Sequence, residues 1–462
     1  MRPSTGARSV RALVAGTAIL AAGLVSACST LRATLDAYDT GPSGIARLQQ
    51  GLRDALVRAD YAAALAWRED DDLLRELGVG VSSFYAAQFA RSAGVLDSAA
   101  LLADDRITHS VSGNALALLT NDLARPYQAR RTERLFIPYY GMLAYTRLEQ
   151  WEEAAVEARR LSDLLAQYGA DCTDAERATH AALHYLAGAV FERAGERDEA
   201  QVAYRLARAL RPQQVDSART GAAPGEGDVL VVVERGFVAH RASTSMNVFL
   251  GDSDRDSLRA GNREPNSHLA SRIAERLARE VNASRGTHRS EHVSRHPPRG
   301  QDGDDDDGDG GYWLSVSVSS VRRTARVAGE PLLLVDGASV AGARVASLLD
   351  DATAADEGRE RTGMLARAIA RAAAKYVVTK AVQHGKGDVA GSIANIGASV
   401  LERADVRSWH LLPQEITLLR VHAPAGRRRL QLVTNAGALP IELGPVIVRA
   451  GMVTITAVRV WH

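Results

Sequence analysis

From Leu35 to about Pro212, apolar residues recur at intervals of three and four, Ala, Leu, Arg and Glu dominate, and prolines are few. That pattern predicts an almost wholly helical N-terminal half. It breaks at Gly221-Ala222-Ala223-Pro224-Gly225-Glu226-Gly227, a cluster that marks a boundary. Directly afterwards Val229-Leu230-Val231-Val232-Val233 is β-branched and too short for a typical helix, so it reads as a buried strand. A helix is expected over 267–281, where Leu269, Ile273, Leu277 and Val281 share a face. Trp313 to Val321 alternates with serines as a half-buried strand does. Gly363 to Val382 then predicts a strong helix, with Met364, Leu365, Ala368, Ile369 and Ala372 as its apolar stripe and Arg367, Arg371 and Lys375 as a solvated basic row. Residues 414–462 read as extended. Glu415 to Val421 and Arg428 to Val433 form an expected hairpin about Pro424-Ala425-Gly426. Ile441 to Leu443, Val446 to Val448 and Met452 to Val460 add strands, with turns at Gly444-Pro445 and Ala450-Gly451. The expected fold class is α+β: an all-α helical array, then an α+β region ending in a small antiparallel β-sandwich.

One helical unit is sharper than the rest. Gly188, Phe191, Ala200, Tyr204, Ala207 and Pro212 stand at the spacings of a tetratricopeptide repeat, with Gly195 opening the turn between its helices. Small residues at Gly188 and Ala200 let the helices approach, Phe191 and Tyr204 fill the groove, and Pro212 ends the second helix. Tyr145, Trp151, Ala154 and Leu161 suit a preceding unit, and Tyr61, Ala64 and Trp67 an earlier one. Ala154 and Ala200 are farther apart than the family's repeat, so a stretch around Gly169-Ala170-Asp171-Cys172 is expected to lengthen the connection. The N-terminal half thus resembles a tetratricopeptide-like array, an architecture that leaves a long concave face for a partner.

The first residues carry an address rather than structure. Arg2, Arg8 and Arg11 precede an apolar stretch, Ala12 to Leu24, that is short for a membrane-spanning helix. It runs into Leu24-Val25-Ser26-Ala27-Cys28, which resembles the lipobox of bacterial lipoproteins. The resemblance implies that Val25, Ser26 and Ala27 fit the signal peptidase and that Cys28 is acylated, anchoring the chain to a membrane through its acyl chains. Ser29 stands where an aspartate favours inner-membrane retention in this class, so the outer membrane, facing the periplasm, is the expected location.

Composition narrows what such a protein does. A hydrophobic content of 46% is ordinary for a packed globular chain. Cys28 and Cys172 are the two cysteines, and lipid on Cys28 leaves Cys172 without an intrachain partner, so disulfides are not expected to hold the fold. The chain has 56 basic and 55 acidic residues, and losing Arg2, Arg8 and Arg11 leaves a slight acidic excess, which gives no electrostatic case for nucleic acid.

Residues 282–311 are almost free of apolar side chains and end in Asp302-Gly303-Asp304-Asp305-Asp306-Asp307-Gly308-Asp309-Gly310, so they read as a disordered insertion. Asp305, Asp307 and Asp309-Gly310 match the start of a calcium loop, but its twelfth position is Val316 rather than Glu. His288, His292 and His296 would align on a helix that the polar setting and Pro297-Pro298 disfavour. No metal and no cofactor are assigned.

Three further segments carry a family resemblance: Gly225 to Val233, Leu365 to Tyr376, and Ala404-Asp405-Val406-Arg407-Ser408-Trp409-His410-Leu411-Leu412-Pro413. The chain resembles uncharacterised bacterial lipoproteins that pair a tetratricopeptide-like N-terminal half with an Ala-Asp-x-Arg-Ser-Trp-x-x-Leu-Pro motif, a resemblance that implies no catalytic activity. Within the motif Asp405 and Arg407 are expected to pair, with Trp409 packed beneath and Pro413 barring helix continuation, Ser408 lying between. Trp409 and Arg407 at an interface are the alternative. The chain has no Gly-x-Ser-x-Gly elbow, His-Glu-x-x-His or phosphate-binding Gly-Lys-Ser/Thr loop, and no catalytic residue is assigned. The expected organisation is a leader over 1–27, a helical domain over 28–212, a linker over 213–227 and an α+β domain over 228–462, β-rich over 414–462. The expected role is a protein–protein interaction scaffold of the cell envelope with an unidentified envelope protein as partner, its binding face on the helical half. The alternatives are an envelope hydrolase acting on peptidoglycan or a related polymer, and an accessory activator of cell-wall synthesis enzymes.

Overall fold

A computed structural model describes residues 44–110, 125–216, 223–250, 276, 312–323, 325–340, 342–386, 404–435 and 437–461. Helices occupy the N-terminal half and sheets the C-terminal part. Met1–Gly51 and Leu52–His462 are separate compact units. Of the first unit only residues 44–51, the opening turns of α1 (Gly44–Val57), are described. The lipobox, the helix expected over 267–281 (Arg276 apart) and the His- and Asp-rich segment lie outside the described residues.

The helical layer of the second unit continues with α2 (Tyr61–Ala66), α3 (Asp72–Tyr85), α4 (Phe89–Ser110), α5 (Arg131–Arg147), α6 (Trp151–Gly169), α7 (Asp174–Ala194), α8 (Arg197–Leu210) and α9 (Pro212–Asp216). Local chemistry sets several ends. Asp71 caps α3 by accepting from the Leu73 and Leu74 amides at 3.0 and 3.2 Å. Thr173 and Glu176 form a capping box on α7. Gly195, with φ 87°, closes α7 in the left-handed conformation that a side chain disfavours.

The α7–α8 pair packs as small-against-aromatic. A Cβ on Gly188 would stand 2.9 Å from the Tyr204 ring, so glycine is what lets the ring sit there. Phe191, Ala200 and Ala207 are buried, and Pro212 opens α9 two residues after α8 stops. The stretch around Gly169 to Cys172 does not lengthen the connection, as the residue count suggested. The connection is only Ala170 to Thr173, and the extra residues instead lengthen α6 to 19 residues and α7 to 21. Further hydrogen-bonded turns cost less than an open loop that must be ordered.

β1 (Glu226–Arg235) is the middle of the molecule. It pairs parallel with β10 (Val453–Val460) and antiparallel with β7 (Glu415–Pro424), which pairs in turn with β6 (Ala343–Leu348). Its apolar run is continuous because both faces are covered. Leu230 and Val232 join the helical core, while Val229, Val231 and Val233 join Leu333, Val335, Leu430, Leu432 and Val448 of a second sheet. That sheet has the order β5 (Ala338–Ser339), β4 (Leu332–Val335), β8 (Gly426–Val433), β9 (Ile441–Val448). A separate ribbon pairs β2 (His240–Leu250) with β3 (Tyr312–Arg322), and α10 (Leu349–Lys386) lies against β3, α5 and α7.

Two expectations are corrected here. β7 and β8 are not a hairpin, because both edges of β7 are taken by β1 and β6. The chain turns at Gly426, φ 124°, and β8 enters the other sheet. Ile441 to Val448 is one strand rather than two, its Gly444-Pro445 step absorbed by a register shift opposite Leu430/Gln431. Proline is tolerated there because β9 is an edge. In the helical layer α7 packs on β6, β10 and β7, and α5 on β10, so the chain's own sheet covers part of that layer.

Candidate binding surface

The Asp405-to-Pro413 segment forms the corner that locks β7 to the helices. Arg407 donates from Nε and Nη2 to the Asp405 carboxylate at 2.9 and 2.8 Å, and its backbone amide donates to the same group at 3.0 Å. Its guanidinium also reaches the Arg125 carbonyl at 2.8 Å and lies 3.7 Å from Asp71. Burial pushes the Asp71 carboxyl up, but the Tyr127 amide and the Arg106 guanidinium outweigh it and hold the group below its ordinary range. Glu133, three residues into α5, accepts from the Arg130 and Trp409 amides at 2.8 Å each and from the Tyr127 hydroxyl. Trp409 is 2% exposed against Tyr140, and Pro413 is buried. Ser408 Oγ, Trp409 Nε1 and His410 Nε2 are buried without a partner among the described residues. All three residues line a cavity of about 20 Å³ with Trp67 and Glu69, room for about one water. Burial, then Arg53, pushes the His410 imidazole down to about 3, so it is neutral.

Beside this corner, α10 and β3 border a polar cleft of about 260 Å³. Two of its charges are paired, Arg130 donating to Glu360 at 3.1 Å, and Arg241 donates to the lining Ser319 at 2.9 Å and to Glu360 at 3.4 Å.

A third polar cluster was not foreseen. Glu234 ends the apolar run of β1, is 0% exposed, and accepts from Tyr139 at 3.1 Å, Tyr140 at 2.8 Å and Tyr85. Burial first, and the Glu234 charge second, hold all three phenols well above their ordinary range, so they remain neutral donors. Arg459 of β10 stands 3.9 Å from the same carboxylate.

On the far side of Arg459 the environment changes. Phe237 and Trp461 stack with centroids 5.4 Å apart and planes 29° from parallel. Arg459 lies 4.7 Å from the Trp461 centroid, and Arg53 lies 4.7 Å from that of Phe237. Arg53 donates to the His410 carbonyl at 2.8 Å and the Val238 carbonyl at 3.4 Å. Its Nε is buried without a partner, and no ion pair to a carboxylate is found for it among the described residues. Burial, then Arg459, brings it down to about 10, so it stays cationic at neutral pH. Arg53, Phe237 and Trp461 line a groove of about 790 Å³ whose other walls include Val327, Leu439, Ile441, Arg326, Thr434 and Asn435, and none of its described lining residues is acidic. Leu439 is 89% exposed and Ile441 37%. A largely apolar trough with cations in its wall is an arrangement for binding.

Of the residues singled out from sequence, Asp405, Arg407, Ser408, Trp409 and Pro413 meet at the corner. Gly188, Phe191, Ala200, Tyr204 and Ala207 meet between α7 and α8, where Tyr204 also accepts from Arg420 at 2.8 Å. Val25, Ser26, Ala27 and Cys28 lie outside the described residues. Arg53, Phe237, Glu234, Arg459 and Trp461 had no local signal beyond a charged residue closing a buried strand. Among the described residues, no cluster of three or more His, Cys, Asp or Glu is placed to hold a metal, and no helix is long and apolar enough to cross a membrane. Comparison with protein-family models, with curated proteins and with solved structures returns no match for the chain.

Proposed function

We propose that the chain is an outer-membrane-anchored periplasmic lipoprotein, tethered through acylated Cys28, that acts as a protein–protein interaction scaffold in the cell envelope. The leader and the lipobox-like Val25-Ser26-Ala27-Cys28 support the address. Its kinship is with the lipoproteins that share the Asp405-to-Pro413 motif. Its α7–α8 pair is a tetratricopeptide-like unit, supported by Tyr204 seated on Gly188, and its two four-stranded sheets form a small β-sandwich, supported by their shared apolar cluster.

The sheet packs on α5 and α7, and this reading puts the partner surface on another part of the molecule. The observation that carries this reading is the apolar rim of edge strand β9: Leu439 at 89%, Ile441 at 37% and Ile447 at 65% exposure along one margin of the second sheet. Exposed apolar residues grouped on an edge mark protein contact surfaces. The address is tested by fractionation. Cys28→Ser releases the chain into the soluble periplasmic fraction, and a variant that stays with outer membranes at high salt contradicts the anchor. The surface is tested by crosslinked recovery of the tethered chain. Ile447→Lys loses the partner with the melting temperature unchanged, whereas recovery at the wild-type level contradicts the rim.

A further inference from the structure

We infer that the groove walled by Phe237 and Trp461 binds a long-chain carboxylate, an unbranched apolar chain ending in one anionic group. The inference goes beyond the scaffold reading and shares with it only the premise that this end of the molecule binds. Three observations carry it.

The first is charge. Arg53 and Arg326 line one groove, Arg459 stands against its Trp461 wall, and none of its described lining residues is acidic. The nearest carboxylate to Arg459, Glu234, is already held by three phenols. A desolvated guanidinium without a counterion is costly, and Arg53 satisfies itself only with two carbonyls and a ring face. An anion brought to the inner end supplies what the protein leaves out.

The second is shape. About 790 Å³ falls within the range of small-molecule sites, about 300–1,000 Å³, and Val327, Leu439, Ile441, Val460 and the aromatic pair give it apolar wall, with Gln414, Thr434 and Asn435 as its uncharged polar side chains.

The third decides between a peptide and an acyl chain. Every peptide residue brings an N–H and a carbonyl that need partners, and the uncharged polar side chains among the described lining residues are three, Gln414, Thr434 and Asn435. The Gln414 amide is engaged by the Val327 amide, the Ala325 carbonyl and Asp350. An acyl chain asks for nothing along its length and for one cationic contact at its end.

The experiment uses the processed chain, Cys28 to His462, carrying Cys28→Ser so that no acyl group or detergent competes. The probes are a terminally brominated undecanoate and the matching brominated undecanol, read by quenching of tryptophan fluorescence at mildly alkaline pH. The carboxylate quenches saturably and binds at least about tenfold more tightly than the alcohol, a gap of about 1.4 kcal/mol. Trp461→Phe removes most of the quenching. Arg53→Gln brings the two affinities together, and the exposed Arg326→Ser narrows the gap without risk to folding, so it decides if the Arg53 variant does not fold. Equal affinity for acid and alcohol, quenching retained in Trp461→Phe, or no saturable quenching overturns the proposal. Ile447→Lys leaves the quenching unchanged, which separates failure of the groove from failure of the rim.

Discussion

The motif corner and the groove end both reach the Trp409-to-His410 segment, one at the Trp409 amide and the other at the His410 carbonyl, and treat buried arginines in opposite ways. At the corner, Arg106, Arg130, Arg241 and Arg407 each face a carboxylate, among them Asp71, Glu133, Glu360 and Asp405. At the groove end, Arg53 faces carbonyls and a ring, and Arg459 donates to the Gly236 and Leu411 carbonyls at 2.6 and 3.1 Å and has one more distant carboxylate, shared with three tyrosines. The corner is a closed electrostatic account that joins β7, α3 and α5. The groove end is left open toward solvent and apolar walls. Charge that is paired internally marks structure, and charge that is buried yet unpaired marks a place where something else arrives.

That contrast is sharpened by removing cations on each side. Arg130→Met strips the corner of the guanidinium that stands between Glu133 and Glu360, leaving buried acidic groups uncompensated, and costs about 3–5 kcal/mol in urea unfolding. A cost under about 1 kcal/mol there would dissolve the distinction. Glu157 on α6 is the intermediate case, a nearly buried carboxylate with Arg160 alone at hydrogen-bond distance, 2.9 Å. Burial raises it to about 7, with Arg160 opposing. The folded chain therefore keeps its proton longer than the unfolded chain, so stability contributed by the protonated group is present at low pH. It is lost as pH rises from about 4.5 to about 7. Glu157→Gln removes that loss, raising stability at neutral pH by up to about 3 kcal/mol and by nothing near pH 4. A wild-type stability curve flat across that window contradicts it. Gly188→Val, which drives a side chain into the Tyr204 ring, costs about 1–3 kcal/mol and tests whether the helical layer is as closely packed as the corner is closely charged. Smallest of all is Arg53→Met, expected to change stability by about 1 kcal/mol or less, because removing a desolvated cation that no carboxylate depends on offsets the donors lost to the His410 and Val238 carbonyls.

What could be read from the chain follows sequence separation. Gly188 and Tyr204 sit on adjacent helices, and Asp405 and Arg407 are two residues apart, so spacing alone brings them together. The run from Val229 to Val233 announces a strand buried on both faces by composition. Its parallel pairing with Val453 to Val460 has no such signal, since residue type does not say which distant strand a buried strand chooses. The same limit explains the hairpin expected at Pro424-Ala425-Gly426. The turn residues are real, but the edges of β7 are taken by β1 and β6, one from far earlier in the chain. Arg53 and Trp461 lie near opposite ends of the chain, and their meeting at Phe237 is a property of the closed fold. A helical repeat pattern likewise shows which face is apolar, not whether a partner or the chain's own sheet will cover it.

The central claim is that partner binding belongs to the rim of the second sheet and not to the helical layer. Matched lysine substitutions at two similarly exposed apolar positions test it most directly: Ile447 on edge strand β9, 65% exposed, and Val202 on α8, 48% exposed. Both changes are expected to leave stability within about 0.5 kcal/mol. In crosslinked recovery from envelopes, Ile447→Lys loses the partner and Val202→Lys retains it. The reverse pattern, recovery lost at Val202 and kept at Ile447, contradicts the account.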